Sequence, residues 1–183
     1  EAAAYVGGRQ IRNRATCVGN IVNASPLADT ATPLYVHNAV VEVYGLPGCR
    51  EIPIQEFILF VRKVALKPGE LVTGIRVPYL PDAKGVFRKV ARRNEVDLST
   101  VCGTVLKTGD EYRIAMGSVA PTPLRLPKTE ALLGGKPLTD ALIAEAAALA
   151  ATEVSPIDDV RADRQYRLDI VSYLVRDGLS KLR

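Results

Sequence analysis

A short polar tract between Thr16 and Asp29 carries the residues best suited to binding a ligand. Within fourteen residues it offers two hydroxyls, two side-chain amides, a carboxylate and a glycine, which are Thr16, Ser25, Asn20, Asn23, Asp29 and Gly19. Because glycine has no Cβ, backbone N–H groups near Gly19, together with the Thr16 hydroxyl, can approach a diphosphate closely. The same composition is typical of a surface loop with turn-forming residues and a helix cap. The tract alone therefore leaves a binding wall and a surface loop as alternatives.

The sequence lacks the patterns of self-contained catalysis. A Ser-His-Asp triad would need the single histidine, His37, and no serine stands in a Gly-x-Ser-x-Gly elbow. The three cysteines, Cys17, Cys49 and Cys102, lie 32 and 53 residues apart and match no zinc-binding spacing. Neither the GxxxxGK(S/T) phosphate loop nor GxGxxG occurs. We therefore expect no catalytic residues and no metal site in this chain.

The composition indicates an ordinary folded chain. Of 183 residues, 48% are hydrophobic and 24% are charged, which is enough apolar side chain for a buried core. The net charge of +4 and the cluster between Arg88 and Arg93 are the only support for a nucleic-acid-binding module, since aromatic residues make up 5% and tryptophan is absent. The sequence contains no run of 18 apolar residues, so it predicts no membrane-spanning helix. The odd number of cysteines and the lack of a secretory signal fit a reducing, cytoplasmic setting.

The hydrophobic patterns predict an α+β fold in two parts. Residues 39–44 and 49–54 alternate as a hairpin around Gly45-Leu-Pro-Gly48, and residues 71–77 form a β-branched strand. The segment 78–85, which contains two prolines and a glycine, is a candidate domain boundary. Beyond it an antiparallel meander is predicted from three strands, at residues 86–93, 98–107 and 111–117.

Helices are predicted on both sides of the strands. Residues 1–6 have the character of the last turns of a helix stopped by Gly7-Gly8, which indicates that the chain begins inside a larger domain. Ser25 as a cap and Pro26 as the first residue predict a short helix that ends near His37.

The C-terminal part is predicted to be helical. Thr139 caps a helix that continues through Ala151. The last helix is expected to bury one apolar stripe, with Arg167 outside it; the stripe consists of Tyr166, Ile170, Tyr173 and Leu174.

An ordered series of motifs adds to these patterns. The polar tract reads Gln10-Ile-Arg-Asn13, Thr16-Cys-Val-Gly-Asn20, Asn23-Ala-Ser-Pro26 and Asp29. It resembles the second flavin-contacting motif of the FAD-binding medium subunit of molybdenum hydroxylases, the xanthine dehydrogenase and carbon monoxide dehydrogenase family. Further family-like segments follow in order, namely Arg50-Glu-Ile-Pro-Ile54, Leu66-Lys-Pro-Gly-Glu-Leu71, Ile75-Arg-Val-Pro78, Phe87-Arg-Lys89 with Arg93 and Asp97, Gly117-Ser-Val-Ala-Pro121, Glu130-Ala-Leu-Leu-Gly134 and Tyr166-Arg167. The resemblance covers almost the whole chain.

The resemblance implies a fold and a set of site residues. Residues 1–80 would be the second subdomain of a PCMH-type FAD-binding domain, with the N-terminal subdomain missing, and residues 81–183 the flavoprotein C-terminal domain with its three-stranded antiparallel sheet. The cofactor-binding residues carried over by position are Thr16, Cys17, Val18, Gly19, Asn20, Ser25, Asp29, Val72 and Lys89.

These residues divide by expected role. The stretch from Thr16 to Asn20 would line the FAD diphosphate and ribityl chain, and Ser25 and Asp29 would hydrogen-bond the cofactor. Val72 would contact the flavin ring and Lys89 would lie near the isoalloxazine, where a positive charge favours the arrival of electrons. A solvated strand edge is the alternative explanation for Lys89 and the arginines around it.

The resemblance also implies an activity and partners. The chain would be an oxidoreductase component that takes electrons from iron–sulfur clusters through FAD to an external acceptor. Expected partners are a small [2Fe–2S] subunit, a large molybdopterin subunit and a polypeptide that carries the first FAD subdomain.

Val18 replaces a glycine of the family motif and half of the expected pocket is missing, so the fragment alone is predicted to bind FAD poorly and to be inactive. These departures also support the alternative of a cofactor-free interaction domain that docks to the other subunits.

Overall fold

The computed structural model describes residues 1–46 and 48–183. Within them a 3-10 helix spans Ala2–Tyr5, and the α-helices are α1 Arg9–Arg12, α2 Cys17–Val22, α3 Ala31–Val36, α4 Ile54–Phe57, α5 Pro127–Leu133, α6 Asp140–Thr152 and α7 Arg164–Lys181. The strands are β1 Val40–Gly45, β2 Gly48–Pro53, β3 Ile58–Phe60, β4 Lys63–Val64, β5 Leu71–Arg76, β6 Lys84–Val90, β7 Val101–Thr108, β8 Glu111–Gly117 and β9 Leu124–Arg125. The expected α+β class is confirmed, with antiparallel pairing in each sheet.

The first sheet has the strand order β2-β1-β5. Alternate residues of β1 point into the core, where Val41 and Val43 are almost fully buried with Phe57. Val41 pairs with Ile52 on one side and Ile75 on the other, so the predicted hairpin and third strand are confirmed. The predicted turn lies partly outside the described residues, because Pro47 is not among them.

The second sheet has the order β6-β7-β8-β9 and contains the predicted meander. The short β9 was not predicted; it pairs with β8 through Met116 and Leu124. Helices α5 and α7 pack on this sheet and α6 packs on both of them, which encloses the larger apolar core. Thr139 caps α6 as predicted, since its Oγ1 accepts a hydrogen bond of 3.2 Å from the Leu142 N–H.

The two halves of the chain share buried contacts. Helix α3 packs against β7 and β8, and the hydroxyls of Thr32 and Thr104 lie 2.9 Å apart in that interface. Leu106 and Ala115 of the second sheet are buried in the core of the first half. The Ser118 N–H donates to the Pro26 carbonyl at 2.8 Å, so the polar tract is anchored to the second half.

The helix predicted from Pro26 begins later, at Ala31, although it ends at the expected place. The Ser25 hydroxyl accepts from the Leu27 N–H at 3.2 Å, which forms a local turn instead of a helix cap. The preceding residues form α2, with Thr16 as the capping residue. The Ser25 hydroxyl competes with the helix for a backbone N–H group, which explains why α3 begins later than predicted.

The predicted buried face of the last helix is correct at Leu174 and at the partly buried Ile170 but wrong at the two tyrosines. Tyr166 and Tyr173 are half-exposed, whereas the buried residues of α7 are Arg167, Val171, Leu174, Val175, Gly178 and Leu179. Arg167 can be buried because its guanidinium has hydrogen-bond partners in the interior. Nη2 donates to Asp159 at 2.7 Å and Nη1 donates to two backbone carbonyls.

Among residues 1–46 and 48–183 there is no helix long and apolar enough to cross a membrane. The same ranges contain no group of three or more His, Cys, Asp or Glu side chains placed to hold a metal ion.

Candidate functional site

A cavity of about 520 Å3, which we call the tract cavity, opens between the polar tract and the loop that follows β6. Asn20, Ser25 and Asp29 line it from the tract. Arg62 and Arg161 contribute from elsewhere, and the loop after β6 supplies Arg93, Val96, Asp97 and Leu98. Three of the residues named from the sequence motif therefore meet in one cavity.

Helix α2 positions the first part of the tract. Thr16 Oγ1 accepts from the Gly19 N–H at 2.9 Å, and a Cβ on Gly19 would come within 3.0 Å of that oxygen. The Gly19 N–H is thus already used, while the Thr16 hydroxyl keeps its proton to donate. At the other end of the helix turn, Asn20 Oδ1 accepts from the Thr30 hydroxyl at 2.5 Å, which orients the Asn20 amide.

Asp29, which lines the cavity, forms a buried ion pair with Lys89, which is not among the lining residues. Lys89 Nζ donates to Asp29 Oδ2 at 2.7 Å, to the Asp97 carbonyl at 2.8 Å and to the Tyr5 carbonyl at 3.1 Å. The Ser99 hydroxyl donates to the other oxygen of Asp29. All three protons of the ammonium are used, so Lys89 ties the tract, the loop after β6 and the N-terminal segment together.

Arg62 supplies a positive charge at the rim. Its backbone is in the left-handed region, with φ of +60°, and its N–H donates to the Ala24 carbonyl at 2.9 Å. The guanidinium donates to the backbone oxygen of Asn23 at 3.2 Å and to the side-chain oxygen of the same residue. No carboxylate within the described ranges pairs with Arg62, so its charge is available to an anion.

The loop after β6 carries a second carboxylate, Asp97. Burial opposes its ionisation, but the Leu98 N–H and the charge of Arg93 outweigh this effect and hold the pKa of Asp97 below its usual value. Asp97 accepts from the Leu98 N–H at 2.9 Å and from the Arg93 N–H at 3.1 Å. The loop is therefore held by an ionised side chain at neutral pH.

The other predicted site residues lie around the tract cavity or away from it. Thr16 and Cys17, together with Asn20, line a neighbouring cleft of about 160 Å3. The described lining of the tract cavity does not include Val18, Gly19, Val72 or Lys89. Val18 is half-buried in α2, and Val72 lies opposite Val43 in the first sheet and packs on the core.

Sequence reasoning missed three polar residues of the site. Arg62 and Arg161 line the cavity, and Ser99 holds Asp29. They are far from the tract in sequence, and neither hydrophobic periodicity nor turn composition marks them. A positive φ at a non-glycine residue, as at Arg62, cannot be seen before the structure.

The donor set of the tract cavity fits FAD. A diphosphate and the flavin carbonyls accept hydrogen bonds, and the cavity presents the Asn20 amide, the Ser25 hydroxyl and the unpaired Arg62. Gly7, with φ of +50°, brings backbone to the wall without a side chain. Apolar residues on the same wall can pack on a ring system, and these are Val6, Leu27, Val96 and Leu98.

Comparison with known proteins agrees with the site chemistry. Residues 1–80 match the family model of the FAD binding domain in molybdopterin dehydrogenase, and residues 86–182 match that of the CO dehydrogenase flavoprotein C-terminal domain. The xanthine dehydrogenase FAD-binding subunit of Escherichia coli O157:H7 is 30% identical over 98% of this chain and 64% of its own length. The glyceraldehyde dehydrogenase medium chain of Sulfolobus acidocaldarius is 32% identical over 99% of this chain and 66% of its own length.

Solved structures give the same result. The carbon monoxide dehydrogenase of Hydrogenophaga pseudoflava, in a form that lacks the Mo-pyranopterin moiety, superposes with a TM-score of 0.92 at 30% identity, over 98% of this chain and 64% of that one. The chain thus spans slightly under two thirds of the relatives that it matches. The expectation of FAD as the family cofactor is confirmed. On this evidence the chain belongs to the family of FAD-binding medium subunits of xanthine and carbon monoxide dehydrogenases.

Proposed function

We propose that this chain is the flavin-carrying electron-transfer component of a molybdenum hydroxylase. In this function it receives electrons from iron–sulfur clusters on a small subunit, which are reduced in turn by a large molybdopterin subunit, and delivers them through FAD to an external acceptor. The observation that carries the proposal is the tract cavity, where Asn20, Ser25 and Asp29 of the flavin-like motif converge with the unpaired cation Arg62. Its donors suit the acceptor atoms of FAD.

Bound FAD supplies the reversible uptake of two electrons. The protein's own part is to bind and orient the cofactor and to set the charge around it. Arg62 and the Asn20 amide are the proposed donors to its polar groups, and the Thr16 hydroxyl has a free proton for the same purpose. The Asp29–Lys89 pair holds the wall in place and balances its own charge.

The organisation of the chain is part of the proposal. Residues 1–80 serve as the second FAD-binding subdomain and residues 81–183 as the C-terminal domain, and a polypeptide carrying the first FAD subdomain completes the cofactor pocket. We infer that the fragment by itself is inactive. The three cysteines are free, which supports a reducing, cytoplasmic setting.

FAD titration of the flavoprotein in its natural complex, after removal of the cofactor, tests this function. Arg62→Met should weaken FAD binding by about tenfold, because a charge-assisted hydrogen bond is lost. Arg176→Met is the matched control, since Arg176 is exposed on α7 and lies outside the lining of the cavity, and should leave the affinity unchanged. A purified complex without flavin absorbance, or equal FAD affinity in both variants, would contradict the proposal.

A further inference from the structure

The loop after β6 contains a buried serine, Ser99, whose hydroxyl is paired with a carboxylate of the polar tract. Ser99 is fully buried and directly follows Leu98, which lines the tract cavity. Its hydroxyl donates to Asp29 Oδ1. Burying a hydroxyl is costly unless it is hydrogen-bonded, and an alanine would occupy almost the same space without that cost. The presence of a serine here therefore indicates a function that depends on Asp29.

Lys89 alone does not fix the plane of the Asp29 carboxylate. Lys89 Nζ donates to Oδ2 at 2.7 Å, so it constrains one of the two carboxylate oxygens. The last torsion of an aspartate side chain has only a broad preference, and the carboxylate can rotate about a single contact. Ser99 donates to the other oxygen, Oδ1, and a donor on each oxygen prevents that rotation.

Both donors are themselves held in place. Lys89 Nζ also donates to the carbonyls of Asp97 and Tyr5, at 2.8 and 3.1 Å, which leaves the ammonium no free proton. The backbone next to Ser99 is anchored, since the Thr100 N–H donates to the Val90 carbonyl at 2.8 Å and closes the base of the loop. The carboxylate is therefore oriented before any ligand arrives.

A third side chain beside this carboxylate is neutral. Cys102 is fully buried, and its burial, followed by the charge of Asp29, raises the pKa of the thiol. The thiol is therefore protonated at neutral pH and adds no charge. The charges of Lys89 and Asp29 balance each other, and Ser99 contributes a dipole whose positive end faces the carboxylate.

Asp29 reaches the tract cavity, whereas the described lining of that cavity does not include Ser99. A carboxylate has about four lone-pair sites, of which Lys89 and Ser99 use one on each oxygen. The other sites can accept a hydrogen bond from a bound molecule. FAD carries suitable donors in its ribityl and ribose hydroxyls and in the imide N–H of the flavin. The orientation of the carboxylate therefore decides whether it meets one of them.

We propose that Ser99 is a positioning residue for FAD binding and acts by fixing the plane of the Asp29 carboxylate. This role rests on the proposed function and adds to it a residue that does not touch the cofactor. Without the Ser99 hydroxyl, the carboxylate must be ordered when FAD binds, and part of the binding free energy is lost. Loss of the O–H dipole also leaves more of the negative charge of Asp29 uncompensated near the cofactor.

Two measurements on the flavoprotein in its natural complex test this role: FAD titration after removal of the cofactor, and redox titration of the bound flavin. Ser99→Ala should weaken FAD binding about fivefold and lower the flavin reduction potential. Ser99→Cys retains the side chain but replaces the hydroxyl with a weak donor, so it should shift both quantities in the same direction by less. Thr32→Val removes another fully buried hydroxyl, which pairs with Thr104, and as the matched control should change neither.

An Asp29→Asn background separates positioning from a general effect on the fold. There Ser99→Ala should change FAD affinity by about twofold at most, because the carboxylate that Ser99 orients is absent. Wild-type affinity and potential in Ser99→Ala would overturn the proposal, and Ser99→Cys decides the question if the alanine variant does not fold. Equal shifts in Thr32→Val, or the full loss of affinity in the Asp29→Asn background, would also overturn it. FAD binding that is indifferent to Ser99 contradicts only this role, whereas a complex that binds no FAD contradicts the proposed function as well.

Discussion

Lys89 and Asp29 form an ion pair across sixty residues of sequence, with 2.7 Å between Nζ and Oδ2 and both side chains less than one-tenth exposed. The pair joins the polar tract of the first half to β6 of the second. Because each charge is nearly removed from water, each depends on the other for its stability. The two residues that the sequence motif assigned to FAD separately are therefore one structural unit.

Breaking this unit on one side should destabilise the fold. Lys89→Met leaves the Asp29 carboxylate buried without its cation and should lower the free energy of unfolding by about 3–5 kcal/mol. The double variant Asp29→Asn with Lys89→Met should recover most of that loss. Guanidinium unfolding measures both, with Lys181→Met as the exposed control expected to change less than about 0.5 kcal/mol. A Lys89→Met variant as stable as the wild type would show that the pair does not support the fold.

In the proposed complex with FAD, the same pair would contribute to the charge near the cofactor. Lys89→Met leaves a net negative charge and should lower the flavin reduction potential, because reduction adds negative charge to the flavin. Asp29→Asn leaves a net positive charge and should raise the potential, and the double variant should lie near the wild type. Redox titration of the flavin absorbance checks this. Shifts of the same sign in the two single variants would contradict a charge effect.

The low pKa of Glu70 predicts that the stability of the protein depends on pH. Arg50 holds its carboxylate through two hydrogen bonds of 2.7 and 2.8 Å, and with the Lys67 N–H it lowers the pKa of Glu70 to about 2 from an ordinary 4.5. Since the folded pKa is the lower one, this contribution is present above about pH 4.5 and is lost as the pH falls towards 2. The difference in Tm between the wild type and Glu70→Gln should therefore shrink over that range. Glu145→Gln, an exposed change on α6, should show no such trend.

Local sequence signals predicted the parts of the fold that depend on local chemistry. Hydrophobic patterns predicted β1, β2 and β5 of the first sheet and β6, β7 and β8 of the second, and the Thr139 cap predicted the start of α6, because each signal acts within a few residues. Part of the buried face of α7 was missed because Arg167 is charged. Its burial depends on Asp159 and on the Thr100 and Ser118 carbonyls, and only the tertiary fold brings the carbonyls to it.

The site residues likewise fall into those that the sequence predicts and those that only the tertiary fold reveals. Asn20, Ser25 and Asp29 belong to one motif and can be named from the sequence, and the structure brings them to one cavity. Arg62 reaches that cavity only because its left-handed backbone and the Asn23 oxygens hold it there. No sequence pattern records a contact across 39 residues.

Substitution of Val18 tests the one position of the tract at which the sequence departs from the flavin motif. The sequence predicts that Val18→Gly tightens FAD binding, because valine would crowd the diphosphate. In the structure Val18 is half-buried inside α2, and the lining of the tract cavity as described does not contain it. We now expect Val18→Gly to leave the FAD dissociation constant unchanged and to cost no more than about 0.5 kcal/mol through lost helix propensity. Val18→Ala should keep the helix, and a tighter FAD complex in the glycine variant would restore the crowding explanation.

Gly178 shows why α7 can lie close to the second sheet. A Cβ at this position would come within 2.6 Å of Val105 Cγ2, so Gly178→Ala should lower the free energy of unfolding by about 1–3 kcal/mol through overpacking. In a Val105→Ala background the obstructing methyl groups are gone. The Val105 Cβ remains 3.1 Å away, so the same substitution should then cost less than in the wild type, because the closest contact is gone and alanine is the better helix former. A double-mutant cycle by chemical unfolding measures the coupling, and additive effects would mean that the close approach at Val105 does not constrain this residue.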